Sequence, residues 1–100
     1  MKIGFNVPVR GPGADPNGMT QIARRAEDAG YDYIAVPDHV AVPRNIQSVY
    51  PYTEDGVFPG TAGEYLEPLN LMGYLAGITK RVQLLTSILV IPHRPPVLAA

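Results

Sequence analysis

The chain has 100 residues, 46% of them hydrophobic and 17% charged, with a formal net charge of -1 and no cysteine. That is the length of one ordinary domain with enough apolar material for a core. A charge this small gives no electrostatic reason to expect nucleic acid or an anionic membrane as partner, and the absent thiols exclude disulfides and thiolate metal sites.

Lys2 to Val7 is β-prone and predicts a first strand ending at Pro8. It starts without a signal-peptide core, and no apolar run in the chain approaches the roughly 20 residues of a spanning helix, so a cytoplasmic protein is expected. Arg10-Gly11-Pro12-Gly13 is a breaker-rich loop that lacks the later Gly and the Lys-Ser/Thr of a phosphate-binding loop. Asp15-Pro16 is a helix start, because Asp can cap free amides and Pro at the first helical position needs no donor. Met19, Ile22, Ala23 and Ala26 then form one apolar face, and Gly30 stops the helix in the left-handed conformation.

Tyr33 to Val36 is a short apolar run closed by Pro37, as in a strand buried on both faces of a parallel sheet. It delivers Asp38 and His39 to its carboxyl end, where ligands bind in α/β folds. An imidazole with a pKa near 6.5 can take and return a proton at neutral pH, which makes His39 a candidate general acid or base. The plainer alternative is an Asp that caps local amides beside a surface His.

Residues 40–63 have no sustained period, and loops this long inside compact domains are usually functional. Tyr50, Tyr52 and Phe58 could line a pocket wall over the Asp38-His39 end, or anchor the loop on itself, or both. Glu67-Pro68 opens a second helix by the logic of Asp15-Pro16, with Leu69, Met72, Leu75, Ala76 and Thr79 predicted to face inward. Lys80 and Arg81 suit a helix C-terminus. Val82 to Ile91 is predicted as a long third strand interrupted by Thr86 and Ser87, whose hydroxyls want partners. After His93-Arg94-Pro95-Pro96, Val97 to Ala100 looks like the first turns of a third helix.

The repeated β-α order predicts parallel, adjacent strands with both helices on one side of the sheet. Three units cannot close a (β/α)8 barrel, which takes about 250 residues, so the chain reads as the N-terminal part of a longer α/β protein. Its unpaired outer edges predict that residues 1–100 expressed alone would be unstable or self-associating.

In this order, several segments resemble the luciferase-like group of flavin- and deazaflavin-dependent oxidoreductases, which are TIM barrels with insertions. The carriers are Met1-Lys2-Ile3-Gly4-Phe5, Ala23-Arg24-Arg25-Ala26-Glu27-Asp28-Ala29-Gly30-Tyr31-Asp32, Asp38-His39-Val40, Tyr50-Pro51-Tyr52-Thr53-Glu54-Asp55-Gly56, Glu67-Pro68-Leu69, Thr79 to Thr86 and Pro92-His93-Arg94-Pro95-Pro96. The Tyr-Pro-Tyr segment looks most like the branch that uses coenzyme F420; FMN with dioxygen is the alternative, and a non-catalytic flavin-binding protein a further one. The sequence departs at Leu85, where many relatives have Gly.

The resemblance implies an incomplete barrel domain over residues 1–100 with an insertion loop at 40–63. It places Asp38 and His39 beside the reactive end of the cofactor ring, with His39 as acid or base on the substrate oxygen. Thr86, Ser87 and Ile88 would lie against the ring, and the Ser87–Ile88 peptide bond would be cis. Tyr50, Tyr52 and Phe58 would line the substrate pocket. The expected partner is a small organic molecule, not nucleic acid or membrane, with no metal and a homodimer at full length.

Overall fold

Both long helices begin on an acidic residue followed by proline, and in each the carboxylate closes the first turn. Asp15 Oδ1 accepts from the amides of Asn17 and Gly18 at 2.9 and 3.0 Å, and Glu67 Oε2 accepts from Asn70 at 2.7 Å. The computed structural model describes residues 1–39, 41–60 and 64–100. Its elements are β1 (Gly4–Asn6), α1 (Pro16–Asp28), β2 (Tyr33–Val36), α2 (Pro68–Ile78), β3 (Gln83–Thr86), a 3-10 turn (Ile91–His93) and α3 (Pro96–Ala99). The far end of α1 is closed by Gly30 at φ 82°, with Tyr31 donating to Ala26 and Gly30 to Glu27. That paired bonding needs a left-handed residue at this point, as the sequence predicts.

The three strands form one parallel sheet in the order β1-β2-β3. Its register sets Phe5 beside Ile34 and Leu84, and Ala35 beside Asn6 and Leu85. Because side chains alternate along a strand, the first set and Val36 face one side and the second set, with Tyr33, faces the other. Met19, Ala23 and Ala26 of α1 and Leu71 and Leu75 of α2 pack with Val7, Ile34, Val36 and Val82 in one core, so both helices cover the same side. The other side is open among the described residues. There the Tyr33 ring lies over Gly4, where any β-carbon would overlap it.

Two details differ from the sequence reading. On α2 the buried residues are Pro68, Leu71 and Leu75; Leu69, Met72 and Thr79 are half-buried and Ala76 is exposed. This helix is apolar on every side, so hydrophobic spacing does not select its inward stripe. The third strand is also shorter than Val82 to Ile91. Its partner β2 ends at Val36, so the pairing with β3 has no strand to continue along. The last bond runs from Ser87 N to Val36 O at 2.9 Å, after which the chain turns away. The Ser87–Ile88 peptide bond is cis, as the family resemblance implied.

Residues 41–60 contain no helix or strand; the ends of the expected insertion, Val40 and Thr61 to Gly63, lie outside the described residues. Among the described residues no helix is long and apolar enough to cross a membrane.

Candidate functional site

Parallel pairing puts the ends of β2 and β3 side by side, and Pro37 turns the chain out of the sheet immediately before Asp38 and His39. The two side chains then diverge. His39 is exposed and stacks on Tyr65, with ring centroids 4.6 Å apart and planes 24° from parallel; Phe58 stands 6.3 Å away. The Arg10 guanidinium sits 5.8 Å from the centre of the same Tyr65 ring, within cation–π range. Gly60 leaves room for this meeting, since a β-carbon there would overlap Tyr65 Oη and the Phe58 ring. His39 is thus set against an aromatic neighbour and open to solvent.

Asp38 is instead closed off, its side chain 1% exposed. Arg94 binds it through both terminal nitrogens, Nη1 to Oδ2 at 2.6 Å and Nη2 to Oδ1 at 3.1 Å, and the Val90 amide adds a bond to Oδ2 at 2.8 Å. Arg94 Nη2 also reaches Glu67 Oε1 at 2.8 Å, so one guanidinium bridges the end of β2 and the start of α2. The hydrogen bonds from Arg94 hold the Asp38 carboxyl below the usual range; burial opposes them, and the Val90 amide and the Arg94 and His93 charges assist. At Glu67 burial pushes upward, but Arg94 and the amides of Asn70 and Leu69 outweigh it and the net shift is downward. Arg94 is raised by the same two carboxylates and stays a cation at any accessible pH.

Thr86 and Ser87 part by strand alternation. Ser87 joins Asn6, Tyr33, Ala35 and Leu85 around a recess on the open face, whereas Thr86 falls on the helix side and is half-buried. Ile88 follows at 78% exposure. In the long loop Tyr50 packs edge-on against both Tyr52 and Phe58, at 5.4 and 5.1 Å, so these aromatics do hold the loop together. Phe58 alone of the three also approaches the His39 ring, and Tyr52 is 83% exposed.

Two organising residues have no role in the sequence reading. Arg94 lies 56 positions from Asp38, and no local pattern joins them. Tyr65 precedes the Leu66-Glu67-Pro68 helix start, where an aromatic carries no signal of a partner on another strand.

No solved structure matches the chain. The sequence is similar to uncharacterized proteins of Mycobacterium bovis and of two Mycobacterium tuberculosis strains, each 38% identical over 80 residues. That match takes in 79% of this chain and 28% of each relative, so the chain spans only part of the length of the relatives it matches. A family model described as luciferase-like monooxygenase matches residues 1–100, from β1 through the strand ends that carry His39 and Ser87. With β-α units in parallel order beneath that match, the chain belongs to the luciferase-like monooxygenase family.

Proposed function

We propose that these residues are the first β-α units of a (β/α)8 barrel oxidoreductase that uses the deazaflavin coenzyme F420 and acts on a small organic substrate. The substrate class is one with an alcohol, a carbonyl or an activated double bond. The observation that carries this reading is the family match over the whole chain, joined to an exposed, ring-stacked His39 at a strand's carboxyl end.

The residues present suit a flat ring with one apolar face and a polar edge. Ile88 and Leu85 offer exposed apolar surface, and Ser87, beside Leu85 on the open side of the sheet, offers a hydroxyl. When bound, the coenzyme supplies a carbon centre that gives or accepts hydride. His39 holds the proton that the substrate oxygen gains or loses, and the Tyr65 stack keeps its ring from swinging away. Ser87 and Ile88, with Thr86 behind them, support the ring. Asp38 lies beneath this wall. Phe58, with Tyr50 and Tyr52 behind it, forms an apolar side that excludes water from the transfer. The complete enzyme is proposed to be a cytoplasmic homodimer.

FMN with dioxygen is the second reading, favoured by the description of the matching family as monooxygenases. Separate titrations of the whole protein with deazaflavin and with FMN test the choice. Tight binding of the deazaflavin alone is the expected result, and preferential FMN binding overturns it.

A further inference from the structure

We propose that Arg94 is a positioning residue for the cofactor ring, acting through Asp38 to set the height of Ile88; this rests on the reading that Ser87 and Ile88 meet the ring. Neither Arg94 nor Asp38 needs to touch the cofactor for this. The backbone between Ser87 and Val90 is an arch with both feet on the end of β2. One foot is the bond from Ser87 N to Val36 O at 2.9 Å, and the other is the bond from Val90 N to Asp38 Oδ2 at 2.8 Å. Val36 and Asp38 are separated only by Pro37, whose fixed φ removes one of the rotations between the two footings.

At the crown stands Ile88, 78% exposed. A β-branched apolar side chain is ordinarily buried, and here it stands out from a doubly tethered backbone next to Ser87, which lines the recess on the side of the sheet that the helices leave open. A flat apolar surface laid against Ile88 accounts for both facts. Arg94 closes the arch from behind. Its planar fork meets Asp38 through two nitrogens and Glu67 through one, which ties the arch to the first turn of α2 as well as to β2. A lysine ammonium lacks the paired geometry to bind both carboxylates in this way. With Arg94 and Asp38 side chains 9% and 1% exposed, loss of the guanidinium strands a carboxylate away from water and frees the second foot.

The test uses the whole protein and the variants Arg94→Met, Arg94→Lys, Ile88→Ala and Arg94→Met/Ile88→Ala. Glu27→Gln is the control, since Glu27 binds only the opposite end of β3. Deazaflavin and FMN binding are followed by cofactor fluorescence, well below each unfolding midpoint. Lost preorganisation should weaken ring binding about tenfold in Arg94→Met. Arg94→Lys should lie between Arg94→Met and wild type, and it carries the test if Arg94→Met does not fold. Ile88→Ala should weaken binding in the wild-type background and add little in Arg94→Met, because the two act through one contact. Glu27→Gln should lower the unfolding midpoint and leave binding unchanged. Unchanged binding in the Arg94 variants, additive Ile88 effects, or equal weakening by Glu27→Gln overturns the proposal while the function stands. A wild-type protein that binds neither ring overturns the proposed function, and this assignment with it.

Discussion

Two carboxylates stand at opposite ends of the sheet and fasten it by different means. Glu27, near the end of α1, turns Oε1 toward the amides of Lys80, Arg81 and Val82, where β3 begins; the Lys80 and Val82 bonds are 2.8 and 3.0 Å. The Arg81 side chain returns to the carbonyls of Tyr31 and Glu27. Asp38, at the other end, takes one amide and a guanidinium. Almost any residue supplies an amide, so the bonds that the Glu27 carboxylate accepts do not depend on which side chains stand at those positions. The Asp38 end depends on one particular side chain 56 positions away. In the proposed barrel the difference would fall along the division into a stabilising face and a reactive one.

The largest effect that would sharpen this division lies at His39. In the whole protein His39→Ala should cut turnover by about 10²–10⁴-fold, the usual contribution of a general acid or base. Its exposure means the unfolding midpoint should barely move. Turnover that stays flat from pH 6 to 8 in the wild type, or a variant as fast as its parent, would remove the chemical half of the comparison.

A core substitution separates stability from binding in the opposite sense. Leu75 is fully buried against the sheet, and Leu75→Ala should cost about 2–5 kcal/mol in urea unfolding. Ring affinity measured well below the midpoint should hold. If it falls as far as in Arg94→Met, the wall at Ile88 reports general loosening and the two ends are not distinct.

Acid should act on both ends together. Glu27 is lowered by the amides of Arg81, Val82 and Lys80, against a small opposing effect of burial, and Asp38 is lowered chiefly by Arg94. A carboxylate with a depressed folded pKa contributes stability that is complete above its unfolded value of about 4 and is lost as pH falls through the folded value. Urea midpoints from pH 7 down to 2.5 should therefore fall on the acid side. Glu27→Gln and Asp38→Asn should each be less stable than wild type at pH 7 and converge on it at the acid end. Parallel curves would show that neither carboxylate contributes through its charge.

The smallest effect is at a cap that belongs to neither end's fastening. Asp15→Ala should cost about 0.5–2 kcal/mol, with Asn at that position restoring most of it. Calorimetric scans of these three proteins and of Glu67→Ala check this, and a loss equal to that of Glu67→Ala would count against a second duty for Glu67 on Arg94.

What could be read from the sequence was local. Asp15-Pro16, Glu67-Pro68 and Gly30 act within one helical turn, so their spacing alone located both helices. The order of β-α units fixed parallel pairing because crossover handedness leaves few choices. Long-range facts were hidden. The stop of β3 depends on where its neighbour β2 ends, and the apolar run through Ile91 gave no sign of it. Likewise Asp38 and His39 are adjacent in the chain, yet one belongs to an ion pair and the other to an aromatic stack, because strand exit sends them toward different partners. The residue types pointed to chemistry at that strand end, and only the neighbours Arg94 and Tyr65 separate the two roles.

The long loop carries one more consequence. Tyr50 donates its amide to Gly56 at 2.7 Å, Thr53 Oγ1 donates to Val57, Asp55 accepts from the Val57 amide, and the Tyr50, Tyr52 and Phe58 rings close the same turn. These bonds begin and end inside the loop, so they shape it from within. Such a segment is a preformed unit: a substitution at Tyr50 or Thr53 is felt first within the loop and reaches the strand end through Phe58, whose ring approaches His39.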